Sequence, residues 1–176
     1  MDEEFAAFVA ARSRALCRTA YLLTGDWQAG EDLVQEALTR TYLRRGRLRG
    51  PAVLEPYARR VLVSLFLTAS RRHWRREIPH PLTGGEAPGQ AEPAGEREPA
   101  GGTGRLDALL DRESLWPALT ALPGRQRAVL VLRYFEDLTE TEIAAVLGCS
   151  PGAVKTHASR GLARLREQMD REVWSR

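Results

Sequence analysis

Residues 150–160 read Ser-Pro-Gly-Ala-Val-Lys-Thr-His-Ala-Ser-Arg, small, hydroxyl and basic side chains set out at helical spacing. Taking about 100° per residue from Val154, the side chains of Val154, Ala158, Gly161, Leu162 and Leu165 fall within one arc. Gly152, Ala153, Thr156, Ser159 and Arg160 lie roughly opposite, flanked by Lys155 and His157. This outer face suits the major groove of duplex DNA. Its small residues let the backbone approach closely, Thr156, Ser159 and Arg160 can reach base edges, and Lys155 can neutralise a phosphate. Lys155 is the only lysine among 26 basic residues. The alternative is a helical hairpin whose polar face is merely solvated.

The elements that must position this face are legible. Thr139 is an N-cap with Glu142 three residues on, a capping box. Ile143, Ala144 and Leu147 form one buried stripe, and Gly148 ends the first helix in a left-handed turn. Ser150 caps the second helix and Pro151 fits its first position, where no donor is needed. Residues 138–166 therefore predict two short helices joined by a tight turn.

A second constellation lies upstream. A helix over about 55–76 has one apolar face of Tyr57, Val61, Leu62, Leu65 and Phe66. Its other face gathers Arg59, Arg60, Ser64, Thr68, Arg71, Arg72, Trp74, Arg75 and Arg76. Guanidinium groups can meet phosphates, and a ring can stack on an unpaired base, so the set suits single-stranded or melted nucleic acid. A solvated basic helix end, favoured by the helix dipole, is the bland alternative, and Trp74 could equally be a core residue. The acidic run from Asp26 to Glu36 suits a protein partner better than DNA.

Charge is uneven. Residues 1–78 carry 14 arginines and 9 acids, whereas 106–176 carry 10 basic and 10 acidic residues. The electrostatic weight for a polyanion thus lies in the first segment. Cys17 and Cys149 are far apart, each in an apolar helical context, and read as reduced buried thiols of a cytosolic protein. No apolar run approaches 18 residues, so no membrane insertion is expected. His73, His80 and His157 are scattered, with no ligand or triad spacing, and no strand precedes a glycine-rich phosphate loop. Neither an enzyme nor a cofactor or metal site is indicated.

The fold class is all-α. Helices are predicted over about 3–23, 27–45, 55–76, 106–121 and 125–135, before the pair at 138–166. Gly46 to Pro56 reads as a loop. Pro117 either kinks its helix or sits in the first turn of a helix capped by Ser114. Residues 79–104 hold 5 of the 10 prolines and 7 of the 15 glycines. They read as a flexible linker spanning about 25–30 Å. The chain is thus divided into an N-terminal unit (1–78), a linker (79–105) and a C-terminal unit (106–176). An autonomous DNA-binding regulator with a sensing or dimerising N-terminal unit remains the competing reading, although an arginine-tipped unit argues against it.

Three stretches resemble the sigma-70 family of bacterial RNA polymerase sigma factors, in its small extracytoplasmic-function (ECF) group. Ala29-Gly30-Glu31-Asp32-Leu33-Val34-Gln35-Glu36-Ala37 is similar to the region 2 helix that binds the polymerase core. Tyr57 to Ser64, running on to Arg76, is similar to the helix that melts and reads the minus-10 promoter element, with Ser64 where the family often has asparagine. Leu122 to Tyr134 and the helix pair resemble region 4, which reads the minus-35 element. The resemblance implies a cytoplasmic factor that directs promoter-specific initiation without chemistry of its own. It implies docking through Asp32, Gln35 and Glu36 on the β′ clamp helices, with the C-terminal unit on the β flap. Minus-35 contacts would come from Ser150, Gly152, Ala153, Lys155, Thr156, His157, Ser159 and Arg160. Minus-10 contacts would come from Arg59, Arg60, Ser64, Thr68, Arg71, Arg72, Trp74 and Arg75. Members of the group are often held inactive by an anti-sigma factor.

Overall fold

The computed structural model describes residues 3–48, 50–77 and 115–174, with the side chains of 51, 72–77, 115–116 and 171–174 outside the description. The helices are α1 (Glu3–Thr24), α2 (Trp27–Arg44), α3 (Pro51–Glu77), α4 (Leu115–Thr120), α5 (Gly124–Tyr134), α6 (Glu140–Leu147) and α7 (Pro151–Trp174). A 3-10 turn, Arg45–Arg47, follows α2. No strand occurs among the described residues, so the all-α expectation holds. The expected linker and the start of the helix proposed over 106–121 lie outside the described residues.

The first three helices share a core of Phe5, Phe8, Leu16 and Ala20 from α1, Val34 and Ala37 from α2, and Leu54, Ala58 and Leu62 from α3. Asp26 caps α2 by accepting from the Ala29 N–H at 2.7 Å. Gly30 lets α1 and α2 meet backbone to backbone: a Cβ there would stand 3.2 Å from the Tyr21 nitrogen.

Two sequence expectations change here. The stretch 46–56 is not all loop, because α3 already begins at Pro51 and carries Pro56 inside it. Burial of Leu54 and Ala58 on either side of Pro56 offsets the single ladder bond that the proline removes. The cysteines are free but only half-buried. Burial, and then the nearby charge of Glu31, push the Cys17 thiol pKa up. Pro117 lies within α4, and the choice between a kinked helix and one capped by Ser114 turns on residues outside those described.

The C-terminal helices bury Leu119, Leu122, the run Ala128 to Leu132, Ile143, Leu147, Val154 and Leu165 in one cluster. Leu22 and Leu23 of α1 and Val63 and Phe66 of α3 belong to the same cluster. The two helical units therefore share an apolar seam. This seam makes α3 a helix with three faces. At about 100° per residue, Leu54, Ala58 and Leu62 face the first core, and Val63, Phe66 and Leu67 face the seam. A polar stripe of Arg60, Ser64, Thr68 and Arg71 occupies the remaining arc of about 80°.

Candidate nucleic-acid interface

The helix pair forms as its caps dictate. Thr139 Oγ1 accepts from the Glu142 N–H, and the Glu142 carboxylate accepts from the Thr139 N–H at 2.8 Å. Those bonds from Thr139, backbone first and hydroxyl second, hold the Glu142 carboxyl below the usual carboxylate range. Gly148 takes φ +64, and the N–H groups of Gly148 and Cys149 both reach the Ala144 carbonyl. Ser150 Oγ accepts from the Ala153 N–H at 3.2 Å, which starts α7. Gly161 permits α7 to cross α5, since a Cβ there would stand 3.2 Å from Leu130 Cδ1.

Val154, Ala158, Gly161 and Leu165 of α7 are buried, with Leu162 half-buried beside them. Opposite them, Ser150, Gly152, Lys155, Thr156, Ser159 and Arg160 are exposed, and Ala153 is half-buried. Lys155 Nζ lies 3.7 Å from Glu140, which also pairs with Arg133 at 3.2 Å. His157 departs from this set. It is half-buried and lines a cavity of about 420 Å³ with Leu67, Ser70 and Arg71 of α3 and Gly124 and Arg125 of α5. Its Nδ1 is buried without a hydrogen-bond partner. Burial, then Arg125 and Arg160, push its pKa below the ordinary histidine value.

On α3, Arg60, Ser64 and Arg71 are exposed and Thr68 is half-buried. Thr68 Oγ1 donates to the Ser64 carbonyl at 2.9 Å. The α3 backbone is helical through 72–76, while the side chains of Arg72, Trp74 and Arg75 lie outside the described residues. Arg59 is set apart from the stripe. It is 14% exposed, bonds Glu55 one turn earlier, and reaches Glu136 of the C-terminal unit at 3.0 Å.

Asp32, Gln35 and Glu36 are all exposed on one side of α2. Glu36 pairs with Arg40 at 2.6 Å, and Gln28 donates to Asp32 at 3.3 Å. Helical spacing puts Leu43, which is 75% exposed, on this same side. Sequence reading missed Leu43, although an apolar residue two turns beyond Gln35 and Glu36, outside the buried spacing, was the available signal.

Family models match both units. That for Sigma-70 region 2 covers residues 8–76, and that for Sigma-70, region 4 covers residues 112–165. The chain is 36% identical to the RNA polymerase sigma-E factor of Streptomyces coelicolor, over 94% of this chain and 86% of the relative. The chain belongs to the sigma-70 family. The ECF RNA polymerase sigma factor SigG of Mycobacterium tuberculosis is 31% identical over 92% of this chain and 48% of its own length. Among solved structures, the sigma factor RpoE of Bartonella quintana, in complex with the anti-sigma factor NepR, shares the fold at TM-score 0.67 and 21% identity. That match covers 96% of this chain and 98% of that one. This ECF-type sigma factor directs promoter-specific initiation by RNA polymerase. No described helix is long and apolar enough to cross a membrane.

Proposed function

We propose that this sigma factor divides promoter recognition between α7 and the polar stripe of α3, and docks on polymerase through α2. The carrying observation is that three chemically different faces stand on three helices, each backed by a packed core. The face of α7, with Lys155, Thr156, Ser159 and Arg160, combines small residues with donors of two lengths. This fits the minus-35 major groove, with the half-buried His157 at its edge. The stripe of Arg60, Ser64, Thr68 and Arg71, continued in sequence by Arg72, Trp74 and Arg75, fits a melted minus-10 strand. Asp32, Gln35, Glu36 and Leu43 offer acidic rims around one apolar anchor, a composition that favours a basic protein partner. By family likeness that partner is the β′ clamp helices, while the C-terminal unit lies on the β flap.

Under this reading the chain performs no chemistry, acts in the cytoplasm and needs no cofactor. An anti-sigma partner is proposed by analogy with the sigma factor RpoE, which was solved with NepR. The site assignment is tested by separating docking from reading. Glu36→Arg should abolish binding to core polymerase and leave helicity intact. Arg160→Ala should bind core as the parent does and lose discrimination at the upstream element. If Glu36→Arg binds core normally, the α2 assignment is wrong.

A further inference from the structure

The cavity between α3, α5 and α7 has walls of two kinds. Leu67 of α3 and Pro123 before α5 are apolar, whereas Arg71, Arg125 and His157 bring one cationic or donor group from each of the three helices. Its volume of about 420 Å³ falls in the range of small-molecule sites. Among the described residues no carboxylate lines it, and neither Arg71 nor Arg125 has an acidic partner. Arg71 Nε donates a long bond of 3.4 Å to the Leu67 carbonyl one turn earlier.

The start of α5 adds backbone donors. Its first helical bond runs from the Arg127 N–H to the Pro123 carbonyl at 3.0 Å, which leaves the N–H groups of Gly124, Arg125 and Gln126 ahead of the ladder. Pro123 supplies no side-chain cap for them. The helix dipole places partial positive charge at the same end. A Cβ at Gly124 would stand 2.7 Å from Ser70 Oγ, so the glycine brings this helix end directly against α3.

His157 supplies an independent observation. Its Nδ1 is buried with no hydrogen-bond partner, and a desolvated polar atom of this kind is costly unless a partner reaches it. Burial first, and then the charges of Arg125 and Arg160, hold its pKa below the ordinary histidine value. The same field that disfavours a proton on His157 favours an anion beside it. Donors on one side and an apolar wall on the other match a ligand that joins a phosphate to an apolar or planar body. A phosphate of duplex DNA would use the donors and leave Leu67 and Pro123 unmatched.

We propose that this cavity binds a small organic phosphate. The phosphate lies at the start of α5 between Arg71, Arg125 and a donating His157 Nδ1, and its apolar body packs on Leu67 and Pro123. Binding does not depend on the promoter reading above.

Phenyl phosphate is the probe, titrated into the full chain and followed by calorimetry and by the amide resonance of Gly124. It should saturate at about millimolar concentration, as befits a ligand of that size, and bind about tenfold more tightly than inorganic phosphate or phenol. Arg125→Ala removes an exposed guanidinium, and His157→Phe keeps a ring of similar size without a donor. Each should weaken binding about fivefold or more, with helical circular dichroism unchanged. Failure to saturate, or parental affinity in both folded variants, would overturn the site. Inorganic phosphate binding as tightly as phenyl phosphate would overturn the organic ligand in favour of a contact with the nucleic-acid backbone. Phenol binding as tightly would overturn anion recognition.

Discussion

Arg160 is exposed on the outer side of α7, one turn beyond Thr156. If its guanidinium reads a base edge, Arg160→Ala costs about 1–3 kcal/mol of discrimination between the true and a scrambled minus-35 element. Electrophoretic titration with both duplexes measures this, and equal loss on the two would assign Arg160 to phosphate alone. Thr139 is a residue whose role is structural. Thr139→Ala removes the cap of α6 and should cost about 1 kcal/mol in thermal unfolding. The same bonds lower the Glu142 pKa, so their stabilisation is present above the usual carboxylate range and is lost as pH falls through it. Both caps were legible because capping is local, depending on residues three apart. The burial of Arg59 was not legible. Its partner Glu136 is 77 residues away, and no spacing rule links the two.

At the scale of elements, α3 was half legible. Its first apolar face follows ordinary helical spacing, but Val63, Phe66 and Leu67 extend the apolar arc to a second side, which weakens the periodic signal. The seam they form predicts a pH effect. His157 faces Arg71 of α3, Arg125 of α5 and Arg160 of its own helix, and its pKa is lowered mainly by burial. The unfolded chain therefore takes up a proton at His157 first as pH falls below about 6.5. The resulting stability is fully present above that value and declines below it. Denaturant titrations at pH 7.5 and pH 5.5 should show this decline, and His157→Gln should flatten it. A second prediction concerns the contact of α1 with α2. Gly30→Val should destabilise by more than 1 kcal/mol, because the Tyr21 nitrogen and Ala20 stand within 3.5 Å of the added Cβ.

For the whole molecule, the division of charge bears on the proposed two-site reading. The C-terminal segment carries equal numbers of acids and bases, so α7 gains little from long-range attraction to DNA. Under the proposed reading, affinity comes from the arginine-rich N-terminal unit and from polymerase, which would present both units to one promoter. The number of units and their helical character were readable because periodicity and capping are written in adjacent residues. Their docking was not, since it depends on a few apolar side chains and one ion pair joining distant segments. The most direct test is transcription in vitro from a promoter with both elements, using core RNA polymerase with and without this chain. The account predicts a transcript with a defined start that requires the chain and disappears when either element is scrambled. A chain that binds core but supports no promoter-dependent transcript, or one whose transcript survives scrambling of both elements, would contradict it.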